Sequence, residues 1–215
     1  MERGSGGADA LAVVPEGIAP PATIPPGIFA AAVDAHVSGQ RLDMQSLARR
    51  LGVSRATLYR HAGNREQLLD QVRWWRARHT LAEQASATAA LAGAGRIVAA
   101  VSGVLRAIAH DRSLHSYLES DPEGALRLLT GTHSAVHQGM VTALGNLIDL
   151  ERGRGAFAPG CDTPTLAYAI VRIAEGFLYA DVIADRPPDI DRAVTLIGAL
   201  LRGLDQPAGP RASAP

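Results

Sequence analysis

The sequence predicts an all-α fold, in which a small N-terminal domain of three helices precedes a larger helical domain. Apolar residues recur three and four positions apart, whereas the alternation of apolar and polar residues that indicates strands is absent. Asp, Ser, Asn or Pro residues stand before several apolar segments, as they do at the starts of helices. Hydrophobic residues make up 47% of the 215 residues, so the chain can bury a substantial core.

The predicted helices begin after residues 1–23, a Gly-, Ala- and Pro-rich segment that we expect to be a disordered arm. Beyond Pro25, apolar residues four positions apart run from Ile28 to Val37 and predict the first helix. The tail, residues 206–215, has the same composition as the arm, and we expect it to be disordered as well.

Two short helices follow, separated by a glycine. Asp43 is a suitable N-cap for a helix over Met44–Leu51, and Gly52 stands where helices commonly end in the left-handed conformation. Ser54 is a suitable N-cap for the next helix, over Arg55–His61. Val53 and Leu58 occupy the two positions of a hydrophobic staple. This order predicts a helix-turn-helix.

A long fourth helix is predicted from Arg65 to about Ala85, because Asn64 and Gln67 have the spacing of a capping box. We therefore expect the first domain to span residues 24–70, with its fourth helix continuing to about residue 85, and the second to span residues 86–205. Further helices are predicted near Arg96–His110, Asp111–Ser120, Pro122–Thr130, His133–Leu150, Pro164–Ala184 and Ile190–Leu204.

The charges are unevenly distributed, although the net charge is zero. Residues 24–85 contain nine arginines and five acidic residues, a balance of +4, and the rest of the chain is acidic on balance. Positive charge is therefore concentrated around the predicted helix-turn-helix, as binding to a phosphate backbone requires. All 21 basic residues are arginines, which suit bidentate contacts to phosphate and guanine.

Several protein classes do not fit this sequence. Its single cysteine, Cys161, excludes an intramolecular disulfide framework and a zinc-finger spacing. No uncharged apolar stretch reaches the length of a membrane span, and no basic segment precedes an apolar run at the N-terminus. We expect a cytoplasmic protein without a membrane partner. No catalytic constellation, phosphate loop or cofactor motif is present, so we predict no catalytic residue and no cofactor.

The second helix of the predicted helix-turn-helix has the composition of a DNA-recognition helix. Arg55 can contact a guanine with two hydrogen bonds, and Tyr59 lies one turn further along. Residues suited to phosphate contacts surround them, namely Thr57, Arg60, His61 and Arg65. The alternative is a solvated surface helix of an ordinary bundle, which the caps, the glycine turn and the local charge make less favourable.

The run Ser46–His61, followed by Asn64–Leu69, resembles the TetR/AcrR family of bacterial repressors. The Leu-Gly-Val-Ser and Thr-Leu-Tyr elements carry this resemblance, together with the Arg-Glu-Gln-Leu-Leu that follows Asn64. Two features depart from the family pattern: Ala62 stands where an aromatic residue is usual, and the first helix lacks a basic residue.

The resemblance implies a homodimer that binds double-stranded operator DNA and is released by a small-molecule inducer. It places Ala56 beside Arg55 and Tyr59 as a base-facing residue, able to touch a thymine methyl group. It also places Met44 and Gln45, which open the second helix, at positions of contact to the DNA backbone. A helical enzyme and a helix-turn-helix protein without a ligand are the alternatives.

The segment Leu166–Asp181 resembles the C-terminal domain of the QsdR-type subgroup of this family. Helical spacing places Tyr168, Arg172, Glu175 and Tyr179 on one polar stripe. The family pairs its last two long helices between subunits, so one interpretation assigns the stripe to a dimer interface. The predicted interface residues are Tyr168, Ile173, Glu175, Phe177, Leu196 and Leu200. The other interpretation places Arg172 in the ligand pocket.

A ligand pocket is expected in the second domain. Aromatic residues are scarce (4%), and the abundant aliphatic ones favour a lipophilic ligand. His133 and His137 are four positions apart, a spacing that would allow both to bind one metal, but no third ligand has a matching spacing, so we predict no metal site. The predicted pocket residues are Trp74, Tyr117, His133, His137 and Arg172.

Overall fold

A computed structural model describes residues 5–14, 19–38, 40, 42–131, 134–184 and 186–205. The all-α prediction is confirmed: within these ranges an isolated bridge between Pro159 and Asp205 is the only β-type pairing. No helix of the described residues is long and apolar enough to cross a membrane. The helices are α1 (Ser5–Val13), α2 (Pro26–Val37), α3 (Met44–Leu51), α4 (Arg55–Ala62), α5 (Arg65–Ala87), α6 (Gly93–Ala109), α7 (Arg112–Ser120), α8 (Pro122–Thr130), α9 (Ala135–Gly153), α10 (Thr163–Leu178), α11 (Ala180–Ala184) and α12 (Ile190–Leu204).

The chain forms two compact units. The head unit consists of the described residues of Ile18–His79 and Asp111–Gly139. The body unit consists of the described residues of Met1–Gly17, Thr80–His110 and Met140–Pro215. This division differs from the expected one, because α7 and α8 join the head unit instead of the second domain.

Contacts between residues far apart in sequence explain this difference. Within the head unit, the backbone N–H of Ala135 donates to Asp70 Oδ2 at 3.0 Å, and Arg76 Nη2 lies 3.0 Å from Asp111 Oδ2. The α5 residues in these contacts, Asp70 and Arg76, are polar, so the spacing of apolar residues in the sequence does not predict them.

The local elements of the helix-turn-helix form as predicted. Asp43 caps α3, since the N–H of Ser46 donates to its Oδ1 at 2.6 Å. Ser54 caps α4, since the N–H of Thr57 donates to its Oγ at 3.0 Å. Gly52 between them has a φ of 66°, the left-handed conformation that glycine adopts without a steric cost. Leu58 is fully buried in the head core, together with Phe29, Leu47, Leu68 and Val72.

The predicted capping box starts α5. The N–H of Gln67 donates to Asn64 Oδ1 at 2.8 Å, and the N–H of Asn64 donates to Gln67 Oε1 at 2.9 Å. Gly63 precedes the box with a φ of 67°, and a side chain at this position would collide with Gln67. The connection between α4 and α5 therefore requires glycine.

The body core is built on α6, α10 and α12, which pack against one another, with α9 contributing to the same core. Its most buried side chains are aliphatic, and each contributes about 1.5–3 kcal/mol by leaving water. They are Ile97, Ile148, Leu166, Ile170, Ile197 and Leu201. The helix predicted over Pro164–Ala184 is divided at Tyr179, which ends α10 in a non-helical conformation.

The expectation of a disordered arm over residues 1–23 is wrong for the residues that form α1. Val13 and Val14 lie in the body core, and Asp9 is buried among charged partners. Ion pairs from Asp9 to Arg96 and Arg154, both distant in sequence, hold this segment on the body unit, and a pattern of neighbouring residues does not reveal such contacts. Residues 1–4 and 15–18 of the arm, and the tail 206–215, lie outside the described residues.

Candidate nucleic-acid interface

Helix α4 presents a polar face to solvent. Its inner side chains, Leu58 and Ala62, are buried in the head core. Tyr59 is 42% exposed, an unusual degree for a large aromatic residue in a well-packed unit. The remaining outer residues are also exposed, namely Arg55, Ala56, Arg60 and His61. A helix of about two turns is roughly 12 Å long, which matches the width of the major groove of B-DNA.

Thr57 and Arg65 also take part in holding the interface together. The Thr57 hydroxyl lies 2.9 Å from that of Ser54, within the cap of α4. Arg65 Nε donates to the carbonyl of Leu42 at 3.0 Å, which ties the start of α5 to the segment before α3. Arg65 Nη1 lies 3.6 Å from Glu66 on the surface. The sequence indicated the positive charge of Arg65 but not this structural contact.

Met44 and Gln45, the first two residues of α3 and predicted contacts to the DNA backbone, differ in exposure. Gln45 is exposed, whereas Met44 is buried in the head core. The side chain of Met44 fills space between α3 and the other head helices, so a DNA contact by this side chain is excluded and the predicted contact is left to its main chain. Next to them, the N–H of Ser46 lowers the pKa of Asp43, so the cap carboxylate stays ionised.

The predicted pocket residues are divided between the two units. Trp74, Tyr117 and His137 belong to the head unit, and Arg172 belongs to the body unit. The Trp74 ring packs directly against Gly139. His137 is buried, and its backbone N–H donates to Ser134 Oγ at 3.2 Å. His133 lies outside the described residues, and the ranges that are described contain no cluster of three metal-ligating side chains.

A further head residue, Arg73, was missed by the sequence reasoning. Its guanidinium carbon lies 4.1 Å from the centroid of the Tyr117 ring, and its side chain is buried. Arg73 stands four positions after Leu69, on the apolar stripe of α5. A charged residue at a core position of a helix was the signal that could have revealed it.

His36 faces the same region from α2. Burial and the positive charges of Arg73 and Arg76 together lower the pKa of His36 to about 4, while Asp111 opposes the shift. The imidazole is therefore neutral at neutral pH.

The predicted dimer face lies on α10 and α12, which pack side by side in the body unit. Tyr168 is 47% exposed and Leu196 is 48% exposed, so each helix presents a large hydrophobic residue to solvent. Ile173, Glu175, Phe177 and Leu200 are half-buried. Tyr179 departs from the predicted stripe, because its side chain is buried, which raises its pKa.

Arg172 is engaged within its own helix. Its Nη1 donates to Glu175 Oε2 at 2.8 Å, and its guanidinium carbon lies 5.0 Å from the centroid of the Tyr168 ring. The pair that the sequence suggested between Arg172 and Glu175 is thus present.

The capped, exposed helix after a tight glycine turn defines a DNA-binding protein of the helix-turn-helix class. Residues 35–72 match the family described as "Bacterial regulatory proteins, tetR family". Residues 92–202, half of the chain, match the family described as "Tetracyclin repressor-like, C-terminal domain". The chain belongs to the TetR family of transcriptional regulators.

A solved structure extends this result to a subgroup. The chain is similar to "the R. erythropolis transcriptional repressor QsdR from TetR family", with 26% sequence identity and a TM-score of 0.75. The match covers 83% of this chain and 94% of QsdR. The expected resemblance to QsdR-type regulators is therefore confirmed. The comparison with curated proteins gave no match.

Proposed function

We propose that this protein is a ligand-responsive repressor that binds palindromic operator DNA as a homodimer and is released by a small lipophilic inducer. The exposed, capped helix α4 is the observation that carries this proposal. The similarity to QsdR, which is described as a transcriptional repressor, supports repression over activation. Such a protein acts in the bacterial cytoplasm, where its DNA target lies.

In this proposal the two copies of α4 enter successive major grooves, about 35 Å apart, which is one turn of DNA. Arg55 contacts a guanine, Ala56 contacts a thymine methyl group, and Tyr59 contacts the next base. Phosphates are contacted by Gln45, Thr57, Arg60, His61 and Arg65. All of these residues except Thr57 and Arg65 are exposed in the head unit.

Dimerisation is proposed through α10 and α12. Exposed Tyr168 and Leu196 supply apolar surface that a second copy of the same face would bury. The half-buried residues Ile173, Glu175, Phe177 and Leu200 surround them. Such a two-fold face matches the symmetry of a palindromic operator.

Release by an inducer requires that the inducer prefers a conformation that binds DNA less well. Trp74, Tyr117 and His137 of the head unit remain proposed ligand contacts, as does His133; Arg172 belongs to the body unit and is proposed separately. If inducer and operator bound independently of each other, the regulatory part of the proposal would be wrong.

The test begins with selection of a bound sequence from random double-stranded DNA, followed by fluorescence anisotropy. Arg55→Ala is expected to weaken binding to the selected operator by about 1–3 kcal/mol, roughly 5- to 150-fold in Kd, because a bidentate base contact is lost. Binding to random DNA should change little. Arg106→Ala serves as the control, since Arg106 is an exposed arginine of the body unit.

An equal loss of affinity on operator and random DNA would assign Arg55 to a phosphate instead. Failure of the wild-type protein to select any DNA sequence would contradict the proposed function as a whole.

A further inference from the structure

Arg73 is a buried guanidinium whose hydrogen bonds are incomplete. Its side chain is 8% exposed, and its Nε and Nη1 have no hydrogen-bond partner among the described residues. A buried polar group without a partner costs free energy, and a charged group costs the most. Arg73 is therefore poorly explained as a residue that only stabilises the fold.

Asp70 shows the complementary feature on the same helix. Its Oδ2 accepts the N–H of Ala135 at 3.0 Å, whereas its Oδ1 is buried and has no partner among the described residues. Residues three positions apart lie on the same face of a helix. One face of α5 thus carries two unpaired donor nitrogens and one unpaired acceptor oxygen.

The polar side chains next to Arg73 and Asp70 have interactions of their own. Arg76 already pairs with Asp111, and the Tyr117 ring lies against the Arg73 guanidinium. His36 is kept neutral, because burial and the two arginines lower its pKa to about 4. All of these residues belong to the head unit.

We propose that Arg73 and Asp70 form a recognition site, inside the head unit, for the carboxamide group of a small molecule. The carbonyl oxygen of the amide accepts a hydrogen bond from one unpartnered nitrogen of Arg73, Nε or Nη1, and the amide N–H donates to Asp70 Oδ1. This inference rests on the proposed function, since it names the chemical class of the inducer.

A carboxamide fits these groups better than a carboxylate does. One oxygen of a carboxylate would accept from Arg73, but its other oxygen would lie near Asp70 Oδ1. An ionised aspartate can only accept hydrogen bonds, so the two negative oxygens would repel each other. Burial raises the pKa of Asp70, and the N–H of Ala135 and the charge of Arg73 oppose that shift. A primary amine satisfies Asp70 but is repelled by Arg73.

The position of the site on α5 provides a route to DNA binding. Helix α5 follows α4 directly through Gly63 and the Asn64–Gln67 capping box. Arg65, two turns before Arg73, holds the carbonyl of Leu42 next to α3. An amide that binds α5 and changes its packing against α7 would therefore move the helix to which the recognition helix is joined.

The test compares three probes with the same chain length: octanamide, octanoate and octylamine. Octanamide at roughly ten times its Kd is expected to raise the melting temperature of the wild-type protein by about 3–5 °C. It is also expected to release the selected operator in an anisotropy titration. Octanoate should have a smaller effect and octylamine none. Absence of any shift with octanamide, or a larger shift with octanoate, would overturn the proposal.

Two substitutions test the residues. Arg73→Met replaces the incompletely hydrogen-bonded guanidinium with an apolar side chain of similar length, so the variant should melt close to the wild-type temperature without ligand and lose the response to octanamide. Asp70→Asn keeps an oxygen for the N–H of Ala135 and replaces the unpaired oxygen with an amide donor. This variant should respond more strongly to octanoate than to octanamide.

Arg106→Met is the matched control, because it removes an exposed arginine of the body unit, and it should respond as the wild-type protein does. A full octanamide response in Arg73→Met, or an unchanged probe preference in Asp70→Asn, would overturn the assignment of the site. Failure of this inference is distinguishable from failure of the proposed function, because selective operator binding without any probe tests the latter alone.

Discussion

Arg96 in the body unit and Arg73 in the head unit are both buried arginines, but their surroundings differ. Arg96 is fully buried, and it donates from Nη1 to Glu151 Oε1 at 2.7 Å and from Nη2 to Asp9 Oδ2 at 2.8 Å. The second oxygen of Glu151 accepts the N–H of Gly93 at 2.6 Å. Arg96 keeps one nitrogen, Nε, without a hydrogen-bond partner among the described residues, whereas Arg73 keeps two, Nε and Nη1.

The comparison distinguishes two roles of a buried arginine: Arg96 stabilises the fold, and Arg73 is proposed to bind a ligand. The carboxylates around Arg96 are themselves buried, so removing any member of the group leaves its partners without compensation. Asp70 Oδ1, on the same helix face as Arg73, has no hydrogen-bond partner among the described residues, so removing Arg73 breaks no hydrogen bond of that atom. The buried ion pairs of Arg96 thus stabilise the body unit. In the head unit, Arg73 and Asp70 keep buried polar atoms without partners, which a ligand could bind.

The largest predicted effect is that of Arg96→Met. This variant leaves Glu151 and Asp9 buried without their counter-ion, and we expect it to lower the free energy of unfolding by about 3–5 kcal/mol. Urea unfolding measured side by side with Arg73→Met checks the comparison, since Arg73→Met is expected to change stability little. Equal losses in the two variants would remove the distinction between the two arginines.

A smaller loss is expected when the N-terminal helix loses its charge. Asp9 accepts from Arg96, and its Oδ1 also lies 2.7 Å from Arg154 Nη2. Asp9→Asn removes one charge-assisted partner of Arg96, so urea unfolding should report a loss of about 1.5–3 kcal/mol. A change close to zero would mean that α1 does not dock on the body unit in solution. Glu2→Gln, outside the described residues, provides the control for a change of charge in the same segment.

The head unit should respond to pH through His36. Its pKa is about 4 in the folded protein and about 6.5 in the unfolded chain, so the unfolded state binds more protons between these values. The stabilisation is complete above about pH 6.5 and is lost as the pH falls toward 4. Urea unfolding at pH 7 and pH 5 should show a loss of about 1–1.5 kcal/mol, allowing for solvent screening. In His36→Gln this part of the pH dependence should be absent; an identical pH dependence in both proteins would contradict it.

The smallest predicted effect concerns the cap of the recognition helix. Ser54→Ala removes the acceptor of the Thr57 N–H, and we expect a loss of about 1 kcal/mol in stability together with weaker operator binding. Thr195→Ala, a surface hydroxyl in α12 that bonds only to its own helix, is the control. A cap variant with wild-type stability and affinity would show that packing of Leu58 alone positions α4.

Those elements of the head unit that depend on neighbouring residues could be predicted from the sequence. The Asp43 and Ser54 caps, the Gly52 turn and the Asn64–Gln67 capping box all involve residues within about four positions of each other. Their hydrogen bonds are local, so residue type and spacing are sufficient to predict them. The family resemblance depended on the same segment.

What the sequence by itself determined, then, is the all-α class, the helix-turn-helix and the exposed face of α4. The tertiary structure alone decided that Met44 is buried, that α1 docks through Asp9, that α7 and α8 join the head unit, and that Arg73 and Asp70 lack partners. Each of these features depends on side chains that are distant in sequence. Burial and charge pairing are set by which distant residues meet, and neither apolar periodicity nor capping motifs carry that information.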